Sequence, residues 1–257
     1  MSDSTLSSLQ AFFDEVEDPN RSLVVVNRRE PKAVQSLLES AFAEQSVTVS
    51  ELDLSDEADD VVVVLDGKRV VATSPLSEVM NALLLVNSDR YITGTSGVDD
   101  SGVPDVLTAL DGVEFELRGY PASNKEKLLL IVISRYVERL ALTVGDGRLR
   151  STFQRLSRLA DERGTRAIYE RLAASTVDVH VYGTAGWGPP TSLDLTVHTG
   201  TSADYRQSWC VVFVPERASE RHAALVALET GPNVWRGTWT YDPERVRRVD
   251  RYLERRF

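Results

Sequence analysis

The chain is 257 residues long, 42% hydrophobic and 26% charged, with a formal net charge of −10 at pH 7; this is the composition of a folded globular chain and excludes collagen-like or wholly disordered structure. No uninterrupted apolar run is longer than the one from Leu128 to Ile133, far short of the roughly 20 residues that cross a bilayer, and the acidic balance disfavours nucleic acid as a partner. The opening MSDSTLSSLQ has no basic patch ahead of an apolar core, which points to the cytoplasm, and the single cysteine, Cys210, excludes an intramolecular disulfide.

Leu6, Leu9, Phe12, Phe13 and Val16 recur at helical spacing up to Pro19. The run Ser22 to Asn27 predicts a strand buried on both faces, and Pro31 then opens a helix with an apolar stripe of Val34, Leu37, Leu38, Ala41 and Phe42. Val47 to Leu52 alternates as a strand, the acidic stretch 53–60 is a solvated loop, and 61–73 reads as a hairpin turning at Asp66-Gly67. Ser74-Pro75 starts a helix to about Leu85, and a short helix is expected between Pro104 and Gly112.

The pattern changes at Gly119-Tyr120-Pro121, which divides the chain into an N-terminal lobe, 1–120, and a C-terminal lobe, 121–257. Ser123 and Glu126 have capping-box spacing ahead of a long helix to about Thr143, broken by the Gly-Asp-Gly at 145–147. Two helical segments are expected at 149–160 and 165–174, then a strand at Val177 to Gly183 and a glycine- and proline-rich loop. Strands follow at 193–198, 209–214, 223–228 and 234–241, and Asp242-Pro243 caps a last helix docked through Val246, Val249 and Leu253. The fold class is α/β, with α+β as the variant: two lobes, each a mixed sheet with packed helices.

Only four of the 29 basic residues are lysine, and the charge is uneven: residues 1–120 carry 8 basic and 23 acidic groups, net −15, and residues 121–257 carry 21 basic and 16 acidic, net +5. An acidic, lysine-poor surface suits a salt-rich cytoplasm, so a halophilic source is expected, and the opposite signs let the lobes attract one another.

Templates for catalysis fail. Gly94 to Gly97 lacks the spacing of a nucleophile elbow. The glycines at 183–188 are in the wrong order for a dinucleotide loop, and no phosphate loop occurs. His180, His198 and His222 are isolated in sequence and meet only if the fold brings them together; Cys210 lies in an apolar strand pattern with no charged neighbour. No catalytic residue, metal or cofactor is expected.

From residue 125 onward a series of marks resembles the DICT sensory domain, a family associated with diguanylate cyclases and two-component systems. In order these are SRYVE (Ser134 to Glu138), Phe153-Gln154, YERLA (Tyr169 to Ala173) leading into VHVYG (ending at Gly183), WCVVFV (Trp209 to Val214), ALVALE (Ala224 to Glu229) and WRGTWTYDPERV (Trp235 to Val246). The N-terminal half is similar to the extension of stand-alone haloarchaeal members. The resemblance implies a non-catalytic signal-input or relay module. No fused output domain is evident, which implies action through a separate signalling protein.

All four tryptophans, Trp187, Trp209, Trp235 and Trp239, fall in the last 71 residues. Such rings either build a core or line a pocket. Trp235 and Trp239 share one strand face with Gly237 between them, leaving a slot for a ligand or for a packed neighbour. Ser134 and Glu138 stand one turn apart with Arg135 on the same helix, as a local ion pair or as a polar anchor at a pocket mouth. The candidate ligand or partner residues are therefore Ser134, Arg135, Glu138, Phe153, Gln154, Trp209, Trp235, Gly237 and Trp239. The arginine-rich face of the final helix is either solvated or turned to an acidic partner, including the acidic N-terminal half. Two readings stay open: a sensor that binds a small ligand and relays through protein contact, and a ligand-free interaction or scaffold protein.

Overall fold

The computed structural model describes residues 6–16, 19–32, 36, 38–39, 42, 46–55, 58–87, 103–118, 128–186, 193–217 and 220–257. Among these, eleven strands form two mixed sheets and the labelled helices number eight. Helix α1 (Leu9–Asp14) precedes a four-stranded sheet built from β1 (Arg21–Val26), β2 (Thr48–Leu52), β3 (Val61–Asp66) and β4 (Arg69–Pro75), in the order β2-β1-β3-β4. The β1–β2 pair is parallel and the others antiparallel. The hairpin is where the sequence places it: Gly67, at φ +59, supplies the left-handed turn between Asp66 and Arg69. Helices α2 (Leu76–Asn87) and α3 (Asp105–Thr108) follow.

The second sheet has seven strands in the order β5-β11-β10-β9-β6-β7-β8, with β5 (Phe115–Arg118), β6 (Arg148–Arg155), β7 (Asp178–Thr184), β8 (Thr196–Thr199), β9 (Ser208–Val214), β10 (Ala223–Gly231) and β11 (Val234–Thr240). The pairs β6–β7 and β7–β8 are parallel, and the others are antiparallel. Its helices are α4 (Leu128–Val144), α5 (Arg158–Asp161), α6 (Arg163–Ala173), α7 (Ala203–Gln207) and α8 (Pro243–Arg256).

The segment 149–160 is mostly strand rather than helix: β6 runs to Arg155, and only the four-residue α5 follows. Its position between β9 and β7 explains this, because a strand inside a sheet is buried on both faces and needs no apolar/polar alternation. Strand β5 lies wholly ahead of residue 120 and pairs with β11 of the second sheet, Gly237 opposite Phe115. The Ser123–Glu126 capping box and the turn at 119–121 lie outside the described residues.

One apolar core runs through both sheets. Leu23, Val25, Val62 and Val64 of the first share it with Leu149, Val181, Phe213, Leu225, Trp235 and Trp239 of the second, and α2 and α4 pack in it. On the opposite face of the seven-stranded sheet a separate cluster joins Cys210, Val212, Ala224 and Val226 to α8 and, from the start of the chain, to α1. Cys210 is wholly buried there, and burial pushes its thiol up to about 12. At pH 8 its thiolate fraction is on the order of 10⁻⁴. A thiol reagent at pH 8 is therefore expected to leave Cys210 unmodified in the native protein and to react with it in denaturant; rapid native labelling would contradict this burial.

Candidate functional site

Alternation along the central strands decides which candidate residues can meet. Odd positions of β6, β9 and β11 point to the α4 face, so Ser151, Phe153, Trp209, Trp235 and Trp239 share it, together with Gly237. Helix α4 supplies Ser134, Arg135 and Glu138, and α6 supplies Thr165 and Tyr169, in the positions that turn towards the sheet and towards each other.

The Arg135 guanidinium donates to Glu138 Oε2 at 2.6 Å and to Thr165 Oγ1 at 2.6 Å, and Thr165 donates onward to Glu162 at 2.9 Å. Tyr169 donates to Ser151 Oγ at 2.5 Å, and its ring meets Phe153 edge-on at 5.2 Å between centroids. Trp209 donates its indole N–H to Ser134 Oγ at 3.1 Å, and its ring meets Trp235 edge-on at 5.9 Å. Ser134, Arg135, Glu138, Ser151, Thr165 and Tyr169 are all buried, whereas Phe153 and Trp209 are only partly so.

Burial pushes the Glu138 carboxyl above its ordinary range against the pull of Arg135. The Tyr169 hydroxyl is driven well up by burial and then by the Glu138 charge, so it stays protonated and donates. These groups bind one another in a dry environment. Such a network is costly to half-satisfy and holds its members in one arrangement.

The fold therefore brings together Ser134, Arg135, Glu138, Phe153, Trp209 and Trp235. Gln154 stands apart: its backbone is left-handed, at φ 39, and its side-chain amide donates to the Arg206 carbonyl at 2.8 Å and to Glu229 at 2.9 Å. Trp239 turns instead to β5 and α3, stacking on Phe115 at 5.0 Å with planes 3° apart and donating to the Thr108 carbonyl of α3. Over Gly237 the slot between the two indoles holds a packed neighbour, Leu130 of α4; a Cβ built on Gly237 would lie 2.9 Å from Leu130 Cδ2. Trp187 lies outside the described residues.

Sequence reasoning named Ser134, Arg135 and Glu138 as site candidates and Tyr169 only within the YERLA mark, and it did not name Thr165 or Ser151. The available signal was a tyrosine on the apolar stripe of α6, between Ile168 and Leu172. A second polar group lies on the α8 face. Buried Arg150 is bound to Asp250 at 2.7 Å, to Glu254 at 2.9 Å and to the Tyr182 hydroxyl at 2.5 Å. Beside it, folding does bring two histidines together: His180 Nδ1 and His198 Nε2 are 3.0 Å apart, with Asp178 on the other nitrogen of His180 and Tyr182 stacked on His198 at 4.3 Å. Among the described residues no three metal-ligating side chains converge.

Burial, His180 and Arg150 hold the His198 pKa below its usual 6.5. Below pH 6.5 the unfolded chain takes up this proton before the folded one, so the stability that depends on His198 is present above pH 6.5 and is lost as the pH falls through the lower folded-state value. A His198→Gln variant is expected to lose that part of the fall in Tm between pH 7.5 and 5; an unchanged slope would contradict it.

Comparison with known proteins bears on the same region. Residues 105–230, just under half of the chain, match the family described as DICT, "Sensory domain in DIguanylate Cyclases and Two-component system". That stretch holds α4, α6, strands β5 to β9 and all of β10 but its last residue, including every residue of the buried network. No curated protein matches the chain. Among solved structures, a polyphosphate kinase from Porphyromonas gingivalis aligns with a TM-score of 0.34 and 11% identity, over 96% of this chain and 47% of its own. The chain thus spans about half the length of that protein. No helix among the described residues is long and apolar enough to cross a membrane.

Proposed function

We propose that this chain is a non-catalytic sensory module of a signalling system, taking a small ligand at the rim formed by Trp209 and Phe153 over the Ser134–Arg135–Glu138–Tyr169 network and relaying its binding through contact with a separate protein. The observation that carries this reading is a chain of buried polar groups, placed where apolar side chains would pack more cheaply, inside the segment that matches a sensory-domain family. Trp209 links Ser134, the neighbour of Arg135 on α4, to the surface: its N–H is committed to Ser134 while its ring is partly exposed. A ligand that competes for Ser134 would move the Trp209 indole and, through it, Trp235. Gln154, Gly237 and Trp239 enter the proposal as supports of the surrounding sheet. The division near residue 120 is carried forward as the boundary between an acidic N-terminal lobe and the sensory lobe, with α1 and β5 reaching across it onto the second sheet, in a cytoplasmic protein of a halophilic archaeon whose melting temperature is expected to rise in molar salt.

A specific observation favours a second reading. Leu130 occupies the place over Gly237, and the network's donors have acceptors within the protein, as in a ligand-free interaction module. Thermal melts and tryptophan emission against a panel of nucleotides, amino acids and organic acids separate the two. A rise in Tm of several degrees with a saturable emission change supports the sensor; no response to any compound supports the interaction module.

A further inference from the structure

The outer face of the seven-stranded sheet bears an apolar groove between β10 and α8, lined by Ala224, Val226, Val246, Val249 and Leu253. Its occupant is α1, a helix of only six residues, capped by Ser8, whose side chain accepts from the Ala11 N–H at 3.0 Å. Leu9, Phe12 and Phe13, with Leu6 just ahead of the helix, bury their side chains in the groove. Three arginines from the sheet and α8 hold it. The Arg245 guanidinium lies 4.7 Å above the Phe12 ring, that of Arg236 lies 4.7 Å above the Phe13 ring, and Arg248 grips Glu15 with two hydrogen bonds of 2.6 and 2.8 Å.

A six-residue helix has too few internal hydrogen bonds to persist without its docking site. Its hold on the groove is a set of side-chain contacts that another helix of the same pattern can make: aromatic rings offered to guanidinium groups and a carboxylate offered to Arg248. We infer that α1 is a removable strap, and that the groove beneath it is the docking surface for an acidic amphipathic helix of a partner protein, which displaces α1. The arginine-flanked groove selects an acidic helix, and the i, i+3, i+4 pattern of Leu9, Phe12 and Phe13 sets the anchors it must carry. The inference deepens the relay reading by giving the relay a surface, and its test involves no small ligand, so the two can fail separately.

The test uses the full chain and, as probe, a labelled synthetic peptide of residues 6–16. Phe12→Ala/Phe13→Ala loosens the strap. This variant, with its circular dichroism retained, is expected to bind the peptide saturably and at least tenfold more tightly than the unaltered chain. Adding Arg248→Glu is expected to lower that affinity about tenfold, and a Glu15→Arg peptide to recover it. Should the double alanine variant not fold, amide exchange in the unaltered chain gives the answer: residues 11–14 are expected to exchange at least a hundredfold faster than the amides of β10. Absence of peptide binding by the folded variant, indifference to the charge at position 248, or exchange of α1 only with global unfolding would each overturn the inference. A dimer in solution that exchanges α1 between copies would overturn it too, since the occupant would then be a second copy of this chain.

Discussion

Replacing Glu138 by alanine is expected to cost about 3–5 kcal/mol of unfolding free energy, measured by urea denaturation, because it leaves the Arg135 charge buried without its partner. Both side chains are shielded from solvent, 9% and 3% exposed, so water does not step in to replace the lost carboxylate. The informative comparison is the double variant Arg135→Met/Glu138→Leu, which removes both charges and fills the same space. It is expected to recover to within about 2 kcal/mol of the unaltered chain. Such recovery would show that the pair is kept for a reason other than stability, and the double variant would then be the right background in which to look for lost ligand response. A double variant as unstable as Glu138→Ala would mean that the network holds up the fold by itself.

The second large effect concerns the tryptophans. Trp239→Ala is expected to cost about 3–5 kcal/mol, since the indole is buried, stacked on Phe115 and bonded to the Thr108 carbonyl. Trp209→Phe keeps most of the ring volume at a partly exposed position and is expected to cost under about 1.5 kcal/mol. Equal losses at the two positions, read in the same denaturation experiment, would mean that Trp209 is as much a core residue as Trp239 and would remove it from the rim.

These two residues also show what could be read in the amino-acid order. Spacing put Trp235, Gly237 and Trp239 on one strand face, and that is how β11 is built. Spacing does not say what packs over them: Leu130 comes from more than a hundred residues earlier and Phe115 from further still. The polar site was half legible for the same reason. Arg135 and Glu138 are three apart on one helix, so their ion pair is a local fact, whereas Thr165, Tyr169 and Ser151 reach them only because α6 and β6 pack against α4.

Strand β6 was misread because both its faces are buried. Arg150 and Thr152 look solvent-facing in sequence, but Arg150 turns to Asp250, one hundred residues away, and Thr152 accepts from the Cys210 N–H. Polar residues with distant partners erase the alternation that marks a half-exposed strand. The arginine-rich face of the last helix is open in sequence to either solvent or an acidic contact, and one of its arginines, Arg248, contacts Glu15 near the start of the same chain.

The most direct measurement is the emission of Trp209 during titration with the compound that raises Tm most, in the unaltered chain and in Ser134→Ala. The sensory account predicts a saturable change in the unaltered chain, reduced at least tenfold in affinity when the Ser134 hydroxyl is removed and absent in Trp209→Phe. A titration that is identical in all three proteins, or a panel in which no compound perturbs the indole, would contradict it.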